Sequence, residues 1–332
     1  MIARLLSIAG RLVLVLAAAL ATLWGTLALW YRLPLGEFGR YAAPALWLIL
    51  AFLALAGLLA ARWRLALPFV AAFAALLVWW ATIQPTGKGD WADDVSRQFT
   101  ATMEGSTARL TNVRDFEWRS DNDFTPRWDD RSYDLDTITG VDLFTSTWAG
   151  PAIAHTMLGF GFADGRHLVF SVEVRRRKSE VYSAISGFFK NDELIVIAAD
   201  ERDVIRVRSN VRGEDVQLFR LRTGRAEAKE LFLYLLSEAN DLVVKPRFYN
   251  TATTNCTTVP FHLARKLDPG LPLDWRVLVS GYLPDYLYDI GALDQRVPLS
   301  ELRQRGRIDA RAKAAGDSPD FSALIRAGVP GP

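Results

Sequence analysis

The chain has 332 residues, half of them hydrophobic, with a formal net charge of +2, three histidines and one cysteine. That length leaves room for one ordinary domain beside a membrane region. A single cysteine excludes an intramolecular disulfide and a multi-cysteine zinc site, and the near-zero charge lacks the dense basic face of a nucleic-acid binder.

Three apolar stretches come first: Leu12 to Trp30, Tyr41 to Ala61, and Leu65 to Ile83. Each approaches the roughly 20 residues that a helix needs to cross a bilayer. Arg4 and Arg11 give the first stretch the basic start of a signal peptide, but two further spans follow it, which favours a retained helix. Arg4, Arg11, Arg62 and Arg64 are expected on the cytoplasmic side, while the first loop carries Arg32, Glu37 and Arg40. Three crossings then put everything after about Gln84 outside the cytoplasm. Trp24, Trp30, Tyr31, Trp79 and Trp80 fit an aromatic belt at the outer interface. The expectation is a membrane region over 1–83 and an extracytoplasmic domain over 84–332.

Pro85 to Asp94 reads as a linker broken by Pro85, Gly87 and Gly89. Ala108 to Trp118 has strand character, and the acidic stretch Arg119 to Asp136 reads as a long ordered loop whose spacing does not fit a calcium loop. After the Asp164-Gly165 turn the pattern alternates. His167, Val169, Ser171 and Glu173 face one way, and Leu168, Phe170, Val172 and Val174 the other. Short strands are expected at Leu194 to Ala198, Val204 to Val207 and Val216 to Leu221, then a helix over Ala226 to Ala239. A polar loop, Tyr249 to Cys256, leads into a second helix at Val259 to Lys266 that stops at Asp268-Pro269-Gly270. The stretch beyond Ala315 reads as loosely structured. The fold class is α+β.

Proline is tolerated only in the first turn of a helix, so Pro260 fixes a helix start within a few residues of Cys256. Free N–H groups and the positive dipole end there stabilise a thiolate and offer an oxyanion site. The alternative for a lone cysteine is a small buried filler, but the flanking Asn255, Thr257 and Thr258 make polar surroundings. A thiol nucleophile needs a base, for which His155 is the candidate, and a third group to orient the imidazole. Glu173, Ser171 and His167 share a face of the next strand. Glu173 ranks first because a carboxylate stabilises an imidazolium, although it also stands near Arg175 as an ion-pair partner. His262 falls on the far side of the second helix. The run Arg175 to Lys178 reads as a solvated strand end or a lipid-phosphate contact.

These motifs resemble the Lnb N-terminal periplasmic domain family. The resemblance rests on Ala154-His155-Thr156, Ser171 to Arg176, Glu180-Val181-Tyr182, Ala199 to Asp203, Tyr249-Asn250 and Asn255-Cys256-Thr257-Thr258. It implies a circularly permuted papain-like (NlpC-type) domain, here preceded by three transmembrane helices, in a group that includes lecithin–retinol acyltransferases. It also implies lipoprotein N-acyltransfer, with catalytic Cys256 and His155 and with Asn255, Thr257, Arg175 and Tyr182 around substrate or oxyanion. The resulting expectation is a multi-pass protein of the bacterial inner membrane with a periplasmic catalytic domain. It acts on a membrane lipid or lipoprotein, without metal, cofactor or nucleic acid. A cysteine peptidase or amidase of the envelope, and a membrane-anchored scaffold without activity, are the alternatives.

Overall fold

Runs of Leu, Ala and Val with few charges can satisfy their backbone in lipid only as helices, and the first eighty residues form three. A computed structural model describes residues 2–180 and 183–332. Helix α1 spans Ile2–Arg32, α2 Gly36–Leu59 and α3 Leu67–Thr82, the last opening on Pro68 after a 3₁₀ turn at Trp63–Ala66. The segments long and apolar enough to cross a membrane are Ile8–Arg32, Gly36–Leu59 and Trp63–Thr82, a few residues wider than the hydropathy reading. Packing between them uses a small residue against a large one. A Cβ on Gly25 would lie 2.5 Å from the Trp47 ring, and Trp47 Nε1 donates to Thr22 O at 3.0 Å.

The described residues divide into two compact units. The first runs to Thr86 and also takes in Ser183–Asn191, which the sequence reading gave to the extracytoplasmic domain. The reason is local. Lys190 Nζ donates to the carbonyls of Trp80 (2.9 Å) and Ile83 (3.2 Å) at the C-terminal end of α3, where a cation is favoured. Phe189 stacks on Tyr31 with ring centroids 5.7 Å apart.

The second unit is built on one eight-stranded sheet. Its strands are β1 (Thr100–Glu104), β2 (Thr107–Arg114), β5 (Trp128–Asp134), β6 (Ile138–Thr147), β7 (His155–Phe162), β8 (His167–Arg175), β9 (Glu193–Ala199) and β10 (Asp215–Arg220). The spatial order is β1-β2-β9-β8-β7-β6-β10, with β5 on β2; β2–β9 is the parallel pairing in an otherwise antiparallel set. A separate hairpin joins β3 (Glu117–Trp118) to β4 (Phe124–Thr125). The alternation read from β8 holds: Leu168, Phe170 and Val172 enter one core and Val169 the other. The first core is covered by α5 (Arg225–Val244) and α6 (Thr258–Leu267). Phe232 of α5 meets Phe160 and Phe170 edge-on at 5.0 Å. Truncating so fully buried a ring costs about 3–5 kcal/mol.

The second core is covered by α4 (Glu201–Arg206), α9 (Asp309–Ala315) and α10 (Phe321–Arg326). Helices α7 (Leu283–Asp289) and α8 (Leu299–Gly306) join the first core through Leu283, Tyr286 and Leu302.

Three readings of the sequence are corrected here. Val204 to Val207 is helical, because the Asp200 side chain caps α4 by accepting from Arg202 N and Val204 and Ile205 bury on one face. The helix continues as a π-turn over Val207–Arg212, ended by Gly213 in the left-handed region. Arg119 to Asp136 contains β4 and β5, its acidic residues being drawn into pairs such as Asp123 with Arg119 and Asp129 with Arg131. The tail beyond Ala315 forms α10, whose Phe321 and Ile325 are wholly buried.

Candidate active site

The loop before α6 is made by asparagine chemistry. Asn250 Oδ1 accepts from the N–H groups of Ala252 and Thr253, both at 3.0 Å. Asn255 Oδ1 accepts from Thr257 N and Thr258 N, both at 2.9 Å, while its Nδ2 donates to Thr251 O at 2.7 Å. Such side-chain caps satisfy the open donors of a helix start. They hold Cys256 at the mouth of α6, partly exposed. From the sheet, Thr156 Oγ1 donates to Cys256 O at 2.7 Å, pinning the loop against the start of β7.

Thr156 has His155 as its neighbour, so the same strand end delivers the imidazole. The His155 Nε2 lies 2.7 Å from Ser171 Oγ and 3.1 Å from Glu173 Oε1. Ser171 Oγ donates to Glu173 Oε1 at 2.7 Å, so its lone pair receives the Nε2 proton. With Nε2 engaged, Nδ1 is the ring nitrogen left for the sulfur. Beyond the carboxylate stands Arg208 of the π-turn. Its Nη2 donates to Glu173 Oε1 and its Nη1 to Glu214 Oε2, both at 3.3 Å. Ser146 of β6, opposite His155 in register, donates to Glu214. Among the described residues Arg208 Nε, which is buried, has no partner.

The electrostatics follow from this chain. Burial disfavours the imidazolium, but the Glu173 carboxylate and then the Cys256 sulfur outweigh it and lift His155 to about 9; Arg208 pulls the other way. Burial alone would raise the thiol, yet the charge of His155 and a hydrogen bond to it bring Cys256 down to about 7. Thr156 and Thr257 add to that lowering, Thr257 Oγ1 lying 3.8 Å from Sγ. Burial likewise opposes the Glu173 charge, and His155, Arg208 and Ser171 hold it well below the usual carboxylate range. Between about pH 7 and 9 the pair is therefore thiolate and imidazolium.

Cys256, His155, Ser171 and Glu173 are thus brought together, and Thr257 stands beside the sulfur. Other candidates are not at the thiol. Asn255 spends its side chain on the cap, leaving none for an oxyanion. The N–H groups of Thr257 and Thr258 go to that cap and Val259 N to Asn255 O. Among the described residues the backbone N–H of Cys256 itself has no acceptor, which makes it the oxyanion donor at hand. Arg175 donates to Val95 O (3.1 Å) and Ser96 O (2.8 Å) and stacks over Trp91, fixing the segment before β1 rather than pairing with Glu173. Its neighbour Arg176 pairs with Asp94, so the basic run is not simply solvated. His167 bonds its own turn, Nδ1 to Gly165 O at 3.1 Å, and His262 is exposed on α6. Tyr182 lies outside the described residues. Arg208, Glu214 and Thr156 were missed. Only Thr156 carried a signal, its place next to His155.

Residues 124–281 match the family model of the Lnb N-terminal periplasmic domain. No curated protein and no solved structure gives a match.

Proposed function

We propose, from the premise that residues 124–281 form an Lnb N-terminal periplasmic domain behind an N-terminal membrane-anchor-like region, that this protein is a thiol acyltransferase of the bacterial inner membrane. The observation that carries the proposal is the thiol of about 7 facing an imidazole of about 9 in a chain with three candidate membrane spans. The Cys256 thiolate attacks the ester carbonyl of a membrane lipid or lipoprotein. The Cys256 N–H receives the oxyanion, the C–O bond breaks, and His155 gives its proton to the departing alkoxide. A thioester remains. A primary amine then attacks it, His155 takes the amine's proton, the C–S bond breaks, and an amide and the thiolate result. Ser171 and Glu173 hold the ring and stabilise its charge throughout. The order of His155 before Cys256, on a strand and at the mouth of a helix respectively, supports reading the domain as a permuted papain-like fold.

The test is intact-protein mass spectrometry of the full chain after incubation in phospholipid nanodiscs. The expected result is a mass gain of one acyl chain, lost on neutral hydroxylamine treatment and absent from Cys256→Ala. An adduct that persists in Cys256→Ala ends the proposal. Turnover of peptide bonds by water, with no lipid dependence, would replace it with the peptidase reading.

A further inference from the structure

Immediately before His155 the chain runs Trp148-Ala149-Gly150-Pro151-Ala152-Ile153, an uncharged loop with Trp148 51% and Ile153 52% exposed. A second loop carries Leu273, Trp275 and Leu278, exposed by 73%, 60% and 55%. The two loops are one object. Gly281 N donates to Ala152 O at 3.0 Å, and Ala154 N donates to Ser280 Oγ at 2.9 Å. Ser280 Oγ donates back to Ala154 O at 2.6 Å. A Cβ on Gly281 would stand 1.8 Å from Pro151 O, so no other residue permits this approach. Trp275 packs on Tyr282 with centroids 5.5 Å apart.

Five large apolar side chains are therefore held out on a braced rim, the nearest being two residues from the catalytic imidazole. Water-exposed apolar groups collected in this way mark an interaction surface. Its chemistry selects the occupant. Between Leu271 and Tyr282 the charges are Asp274 and Arg276, and they are consumed by each other and by Asp289. No charge is left to specify a protein partner, while tryptophan at two of the five positions suits the headgroup boundary of a bilayer. Three helices able to span a membrane keep this domain tethered to one.

We infer that the paired loops Trp148–Ile153 and Leu273–Leu278 dip into the phospholipid bilayer surface and bring the mouth of the Cys256 site to the lipid. The inference deepens the acyltransferase reading and rests on it for its purpose, but its test does not need turnover. In the full chain carrying Cys256→Ala, Leu278→Cys or Ile153→Cys is labelled with an environment-sensitive fluorophore, and Asn122→Cys serves as an exposed control. The protein is placed in phosphatidylethanolamine–phosphatidylglycerol nanodiscs with and without lipids bearing a quencher near the top of the acyl chain. The expected result is blue-shifted emission at residues 278 and 153 and quenching roughly twofold or more above the control. Quenching no stronger than at residue 122 overturns the inference. So does a blue shift without quenching, which would put a second copy or another protein on the rim. Lipid insertion without an acyl-enzyme in the wild type would instead leave the rim standing and remove the acyltransferase.

Discussion

Two arginines mark the two ends of one strand face, and they behave differently. Near His167, Arg326 donates to Asp142 Oδ2 from Nε and Nη2 and to Glu201 from Nη1 and Nη2, with Nη1 also reaching Ser322 O. Its donors are filled and its two carboxylates are buried. Near Glu173, Arg208 makes two longer bonds of 3.3 Å, keeps Nε unpaired, and belongs to a line that ends at a partly exposed sulfur. A closed cluster of charges fixes structure, here the docking of α10 on the sheet. An open line leaves protonation free to change at its end, which is what a nucleophile requires.

The comparison breaks most visibly at the sulfur. On the proposed role of Cys256 as nucleophile, Cys256→Ala should lower acyl transfer by roughly 10⁴-fold or more, with folding retained because the partly exposed side chain only edges onto the first core; lipoprotein N-terminal masses in complemented cells are the measurement. At the closed end, Arg326→Ala leaves the buried Glu201 without its arginine and Asp142 with Arg220 alone, at 3.6 Å. A loss of about 3–5 kcal/mol is expected, seen as a fall of roughly 10 °C in the melting temperature of the full chain. The surviving fraction should keep its pH profile. A displaced profile would mean that the two clusters are one.

The open end should respond in the opposite manner. Activity is expected to rise with pH through about 7, as the thiol ionises, and to fall through about 9, as the imidazolium loses its proton. Glu173→Gln removes the main stabiliser of that imidazolium. The upper limb should move to lower pH, the lower limb upward, and kcat should drop about 100-fold, with melting little changed beside Arg326→Ala. A pH-rate profile of each variant reads all three.

How much of this was legible follows the same division. Periodicity found the three spans, and the alternation along β8 put Ser171 and Glu173 on one face, because strand geometry has a period of two and needs no partner to be read. Pro260 located the helix start for the same local reason. The strand expected at Val204 to Val207 failed because β-branched residues there bury against a sheet, and that tertiary gain overrides propensity. With the helix unread, Arg208 could not be placed, and the site lost its far half. Arg175 shares the strand face of Glu173 by the same period, yet the carbonyls of Val95 and Ser96 and the Trp91 ring hold its side chain at the segment before β1, contacts that lie some eighty residues away in the chain and leave no local signal. Asn255 was expected at the oxyanion, but the capping that makes the loop consumes its carboxamide.

Arg208 gives the smallest effect and the sharpest discrimination. Its positive charge opposes the imidazolium, so it lowers His155 while Glu173 raises it. In Arg208→Gln the imidazolium should hold its proton longer. The upper limb of the pH profile then moves to higher pH, opposite in sign to Glu173→Gln, with a rate change below about tenfold because the direct His155–Ser171–Glu173 contacts remain. If Arg208 acted only as a brace for Glu173, losing it would loosen the carboxylate, and the limb would move down as it does without Glu173. The sign of one displacement therefore decides whether the π-turn tunes the base or merely supports it.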